Sequence, residues 1–451
     1  MIGDDVKPAT YREVFAVGAF RVLFGSYVLL LIGDTVRMLA LAVLVYERTG
    51  SPALSALAFV AGFVPQAFGG ALLLSLTDRV PVRTAMAGYD LVRCALALVL
   101  AADVLPVWAV LLLLASVGLV SPVAGAARQR TLPELLHGDA YVLGRSVFGM
   151  TAGAMQVLGY AVGGLLLALV GSSGALLFAA GTALASAAVL RSGLPAAART
   201  ERPAAARAEG TVRATRRVNR ELLGDRTVRG LLLAQWIPAN LAVAAEGVIV
   251  PYTPDHAGVL YGSAAAGMLL GNLLVGRFVR PAGREHLALW LALQLGIPLV
   301  FFAAGPPLWT TAGLFVLSGA GLSYQLGLQR RFLEAVPEAA TGQAMGLAMT
   351  GTMTLQGVTM AGAGALAGVL APGHVIALVG LASIVGTLAV HRVLRPPADG
   401  RSAPGVLAVP ALSVEAAESA ESAESAGSVV PPGQAAVPTV PALGAEPTQA
   451  G

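Results

Sequence analysis

The chain is 451 residues long, 56% hydrophobic and only 12% charged, with a formal net charge of +4. A charged fraction about half the usual one excludes an ordinary soluble domain. The small basic excess does not signal nucleic acid, because no soluble fold could hide apolar runs of this length.

The first segment, residues 1–19, carries Asp4 and Asp5 and is followed by no small-residue cleavage site. It reads as a cytoplasmic segment ahead of a retained anchor rather than as a cleaved signal. A helix needs about 20 apolar residues to cross the hydrocarbon core, where unsatisfied backbone groups are costly. Twelve segments meet or approach that length: 20–45, 54–76, 85–104, 107–127, 146–170, 175–190, 230–250, 259–275, 287–304, 308–326, 342–370 and 375–390. The predicted fold class is therefore an all-α membrane protein of twelve transmembrane helices in two six-helix halves, residues 20–190 and 230–395. The sole cysteine, Cys94, lies inside the third run, so no intramolecular disulfide forms and the thiol packs as a small hydrophobe.

Between the halves lies 191–229, a basic linker with Arg199, Arg202, Arg207, Arg213, Arg216, Arg217 and Arg220. The other even-numbered connections are basic too: Arg79 and Arg83, Arg128 and Arg130, Arg277, Arg280 and Arg284, Arg330 and Arg331. Odd-numbered connections hold almost no arginine, with Arg48 the exception. The positive-inside rule then puts both termini and the linker in the cytoplasm of a plasma-membrane protein. After Arg395 the chain turns to Pro, Ala, Ser and Glu, with Glu415, Glu418, Glu421 and Glu424 in a short repeat. Such a tail, 396–451, cannot bury a core and reads as disordered.

Ionisable residues inside predicted spans are the first functional candidates, because each is costly in lipid. Asp34 and Arg37 share a face of span 1 at i,i+3 spacing. They read either as a cavity pair or as an ion pair that only fixes packing. Asp90 and Arg93 repeat the spacing in span 3, nearer the cytoplasmic end, where interfacial water or the basic loop is within reach. Glu246 lies about two-thirds of the way along span 7. A dehydrated carboxylate takes up a proton more readily than an exposed one, so Glu246 and Asp34 are the proton-coupling candidates. Gln66, Gln156, Gln235, Asn240, Asn272, Gln294, Tyr324 and Gln356 are polar groups for a transport path or for interhelical hydrogen bonds. Trp236, with Pro238 close by, predicts a bent helix presenting an aromatic surface. Gly159 to Gly163 and Gly364 to Gly368 fit close helix packing. The histidines, His137, His256, His286, His374 and His391, have no metal-ligand spacing, and no Walker-type loop is present, so neither cofactor, metal nor ATP is expected, nor an enzyme.

Twelve spans split six plus six by a basic loop resemble the major facilitator superfamily, and local motifs carry the likeness further. Asp78-Arg79-Val80-Pro81-Val82-Arg83 resembles the D-R-x-x-x-R signature after the second helix. The resemblance implies a cytoplasmic charge cluster stabilising one access state, with Asp78, Arg79 and Arg83, joined by Asp90, Arg93 and Arg128 as candidates. Leu74 stands where the family has glycine. Gly276-Arg277-Phe278-Val279-Arg280 is similar to a second copy without the acid. Gly159-Tyr160-Ala161-Val162-Gly163-Gly164 is similar to the antiporter G-P-x-x-G-G core, with Tyr160 for proline. Residues 45–52 and 121–134 resemble the siderophore and macrolide exporter branch. The resemblance implies a monomeric, proton-coupled exporter of an amphipathic small molecule. An importer of the same fold, and a transport-inactive receptor or scaffold acting through its tail, are the alternatives.

Overall fold

The computed structural model describes residues 10–72, 80–137, 139–194, 217–337 and 340–395. The expectations for Asp78, Arg79, Leu74, the tail and most of the linker fall outside these residues.

Turn chemistry sets the helix order as firmly as the apolar runs do. α1 (Tyr11–Ala16) opens on a reciprocal cap: Thr10 Oγ1 accepts from the Glu13 N–H, and the Glu13 carboxylate accepts from the Thr10 N–H. α2 (Gly18–Thr49) ends at Gly50, whose φ of 62° is strained for any residue with a Cβ and whose N–H donates to the Tyr46 carbonyl. Ser51 then caps α3 (Pro52–Val60), which starts on proline, so the chain reverses within two residues. α4 (Phe63–Leu72), α5 (Val82–Ala101), α6 (Val107–Leu135) and α7 (Asp139–Gly193) complete a first group. A straight helix of α7's 55 residues would be about 80 Å long, far beyond a bilayer. Gly171, with φ 69° and ψ −176°, divides it into two arms.

The second group holds α8 (Arg226–Val243), a 3-10 segment (Ala244–Val248), α9 (Ile249–Tyr252), α10 (Ala257–Phe278) and α11 (Pro281–Val300). It continues through α12 (Leu308–Gly321), α13 (Tyr324–Ala335), α14 (Thr341–Leu366), α15 (Pro372–Ala389) and α16 (His391–Leu394). Among the described residues eight helical stretches are long and apolar enough to cross a membrane, one of them containing both arms of α7. The pair α3 and α4, the pair α12 and α13, and α14 stand where the remaining crossings are expected, and the twelve-span order fits. The two pairs mark a difference from the sequence reading, which made each a single span. The first is interrupted at 61–62 and the second at 322–323.

Positive-φ backbone gathers at one end of the bundle. Gly50, Asp103 (φ 58°), Gly171 and Gly305 all sit in the tight connections between α2 and α3, α5 and α6, the arms of α7, and α11 and α12. Arg48, the exception in the charge pattern, is a clamp on this hairpin end. It donates to the Leu105 carbonyl at 2.9 Å and binds both the carbonyl and the carboxylate of Asp103. At the opposite, arginine-rich end Arg284, Arg330 and Arg331 tie helix ends and loops within the second group. Arg284 donates to the Gly276 and Val279 carbonyls at 2.6 and 2.9 Å, and Arg331 donates to the Val393 carbonyl at 2.7 Å. Arg330 pairs with Glu285, Nε to Oε1, at 2.9 Å. Glu285 thus provides a carboxylate beside the motif copy that lacks its own.

The two groups meet along α7 with α10 and along α3 and α4 with α14. At the hairpin end Gly164 and Gly258 cross so closely that a Cβ on Gly258 would lie 2.4 Å from the Gly164 Cα. Gly364 packs against Ala56 and the Pro52 carbonyl on the other side of the contact.

Candidate functional site

α2 is apolar for most of its length, so a charged pair in its middle has to be held from inside the bundle. Asp34 Oδ1 accepts from Arg37 Nε at 3.1 Å and Nη2 at 2.6 Å. Arg93 of α5 approaches the same oxygen at 3.4 Å. Arg93 also pairs with Asp90 at 3.2 Å and donates to the Leu30 carbonyl at 3.1 Å, and Ser186 Oγ donates to the other Asp90 oxygen. Asp90 and Arg93 are 1% and 4% exposed. They do not reach interfacial water, as their place in the sequence suggested; Asp34, Leu30 and Ser186 replace that water in the interior. Beyond them Arg128 lies over the Tyr27 ring, 5.3 Å from its centroid.

This network forms one side of a cavity of about 530 Å³. Asp34, Arg37 and Arg93 line it together with Gln66, Tyr89 and Ser121, and Phe59, Phe63 and Leu114 give it an apolar wall. The break between α3 and α4 falls at this cavity, at Gly62.

A second cavity, of about 440 Å³, holds Glu246. Its position follows from Pro238. Proline has no N–H, so the Ala234 carbonyl one turn earlier loses its helical donor. Tyr324 Oη, fully buried, supplies a donor instead, at 3.0 Å from the Ala234 carbonyl and 2.8 Å from that of Gln235. The helix then tightens into the 3-10 segment Ala244–Val248, which carries Glu246. Tyr261 Oη donates to the Glu246 carbonyl at 2.7 Å. Gln156, Tyr160, Met268 and Ser318 share the lining, and no lining side chain is cationic.

An aromatic stack joins the two cavities. Phe59 of the first and Tyr160 of the second each stack on Tyr261 at 5.0 Å between centroids, with interplanar angles of 10° and 22°. Tyr160, the residue in place of the motif's proline, is thus a contact between helix groups. Its glycine neighbours pack tightly too: Gly159 against Thr35 and Gly163 against Val36 and Leu39, all on α2, and Gly164 against Gly258.

The structure sorts the remaining candidates. Gln66 reaches the first cavity and Gln156 the second. Trp236 Nε1 donates to the Ala348 carbonyl at 2.9 Å, Asn240 Nδ2 to the Trp236 carbonyl at 2.8 Å, and Gln294 Nε2 to the Leu317 carbonyl at 3.1 Å. These three join helices or close a turn, outside both cavities. Gln235 and Gln356 are half-buried and also outside the two linings, and Asn272 is exposed. Arg83 stands in the first turn of α5, next to the segment that is not described. Tyr89 was missed by sequence reasoning, although its i,i+4 spacing to Arg93 places the two on one face. Phe59 and Tyr261 carry no comparable signal.

Neither a protein-family model nor a curated relative matches the chain. Its architecture does match solved transporters. A D-xylose-proton symporter aligns with a TM-score of 0.63 at 16% identity, covering 87% of this chain and 100% of the other. The fold is the major facilitator fold. An inward-open structure of the xylose transporter XylE from E. coli gives 0.61 at 16% identity, covering 86% of this chain and 98% of that one. A bacterial homolog of the human lysosomal transporter Spinster, inward-facing and occupied, gives 0.60 at 14% identity, covering 83% and 95%. At such identities the likeness is one of fold.

Proposed function

We propose that this chain is a secondary transporter that moves an amphipathic small molecule out of the cell by alternating access, coupled to proton entry. One observation carries the reading: two intramembrane carboxylates lie in separate cavities with opposite surroundings. Asp34 is bound by two guanidiniums, whereas Glu246 shares its cavity with no cation. Glu246 is then the group that can gain and lose a proton without breaking an ion pair, and Asp34 the one tied to the substrate cavity. The positive-inside rule puts the arginine-rich end in the cytoplasm of the plasma membrane. We read the protein as a monomer, and the close contacts at the hairpin end support an inward-facing state.

The test is pH-gradient-driven flux in proteoliposomes, with Glu246→Gln and Asp34→Asn made separately. Glu246→Gln should abolish uphill transport while leaving counterflow exchange intact. Unchanged uphill transport in both variants removes the two carboxylates from coupling. A second reading, proton-coupled uptake, is favoured by the Asp34 pairing itself. Protonating Asp34 would vacate Arg37 and Arg93, so that proton and substrate load together and travel the same way. Substrate accumulation inside vesicles with an acidic exterior would select uptake over export.

A further inference from the structure

The charge balance behind the first cavity bears on the kind of molecule it would hold. In the interior of the first helix group the described carboxylates Asp34 and Asp90 face three guanidiniums, those of Arg37, Arg93 and Arg128. Among these described residues one positive charge is in excess. A buried charge without a counter-ion is costly, and a protein that keeps one has a use for it. Arg128 adds a separate observation: its Nε is buried and has no hydrogen-bond partner among the described residues. Arg128 does not line the cavity, so what it contributes there is charge and not a hydrogen bond.

The geometry shows where the anion would sit. Asp34 Oδ1 alone serves Arg37 Nε, Arg37 Nη2 and Arg93 Nη2. The Asp34 side chain is 40% exposed, against 16% and 5% for the two arginines, so the carboxylate lies on the open side of the cluster as an internal counter-ion. Both arginines still reach the cavity, whose lining also includes the apolar and aromatic Phe59, Phe63 and Leu114. Planar guanidiniums suit a carboxylate, which they hold through paired N–H donors.

We infer that the cavity takes an amphipathic organic monoanion, a carboxylate whose head docks on Arg37 and Arg93 while its apolar body lies against Phe59, Phe63 and Leu114. A monoanion makes up the missing charge with Asp34 still ionised. The inference rests on the transporter reading for its purpose, but binding alone tests it.

Full-length protein in lipid nanodiscs is titrated calorimetrically with 1-naphthoate and with two probes of the same body, 1-naphthylmethanol and 1-naphthylmethylammonium. Naphthoate is expected to bind at least tenfold more tightly than either. Arg37→Gln and Arg93→Gln should each erase that preference, and Arg37→Lys, which keeps the charge, should retain part of it. Asp34→Asn should bind naphthoate several-fold more tightly than the unaltered protein, because the guanidiniums lose their internal competitor; a damaged fold cannot mimic that gain. No naphthoate binding, equal or tighter binding of the alcohol or the ammonium, or a weaker naphthoate complex in Asp34→Asn, overturns the assignment. Protein that fails here yet shows Glu246-dependent flux keeps the transporter reading and loses the anion. Protein that binds as expected without any flux keeps the site and loses the transporter.

Discussion

Placing valine at Gly258 should open the hairpin end of the molecule. A Cβ there would lie 2.4 Å from the Gly164 Cα, 2.9 Å from its nitrogen and 3.1 Å from the Tyr160 carbonyl oxygen. Non-bonded carbons rest at about 3.5 to 4.0 Å, so α7 and α10 must separate by roughly 1 Å for the first carbon alone. Overpacking of this kind costs about 1 to 3 kcal/mol. The cost falls only on a state in which the two helices touch, so their separated state should gain about 5- to 150-fold in relative population. Cysteines at Val170 and Asp255, both exposed and on opposite sides of the crossing, can carry spin labels in a Cys94→Ser background. Pulsed dipolar distances in nanodiscs should show a longer component in Gly258→Val. Gly164→Ala, whose Cβ would lie 3.0 Å from the Gly258 Cα, should show less of it. An unchanged distance distribution in a stable Gly258→Val protein would refute the argument that this crossing holds the end shut.

Tyr324→Phe should lower thermal stability by about 1 to 3 kcal/mol, since it strands the Ala234 carbonyl that Pro238 leaves without a donor. In a Pro238→Ala background the helix supplies its own N–H, and the same substitution should cost clearly less; equal costs in a double-mutant cycle would show that the two residues are uncoupled. Asp90→Asn should destabilise by about 3 kcal/mol, because Arg93, 4% exposed, keeps its charge and loses a buried partner. Thermal unfolding in detergent reads this directly, and Asp90→Leu with Arg93→Met should recover much of the loss.

Charges were the part of the fold read from the sequence, and the turns carried signals that went unread. The Gly50-Ser51-Pro52 run encodes a helix stop, cap and restart within three residues, and the structure turns there. Alternating arginines marked one end of the bundle, and the exception, Arg48, is explained by a contact with Asp103 and Leu105 that is 55 or more residues away in sequence. Pro238 announced a bend, but neither the Tyr324 hydroxyl that answers it nor the 3-10 segment that follows could be read from a single dimension. Helix rotation is the deeper reason why the site was only half visible. Gln66 and Trp236 are equally plausible on paper; the rotation of each helix sends one into a cavity and the other to the Ala348 carbonyl. Asp90 and Arg93 looked peripheral because chain position measures depth along a helix and not the neighbours around it.

Tyr261 comes from the second helix group and stands between two rings of the first, Phe59 from α3 and Tyr160 from α7. A ring stacked on two near-parallel neighbours can neither move along its own normal nor tilt without striking one of them. To part the groups at this level the ring has to be drawn out along its own plane, like a card from a slot, or both partners must turn first. Opening is thereby restricted to a path on which three side chains move together. Tyr261 and Glu246 belong to the same helix group, so the hydroxyl's bond to the Glu246 carbonyl travels with the ring as it withdraws, and the backbone beneath that carboxylate stays held while the ring leaves Phe59 of the Asp34 cavity.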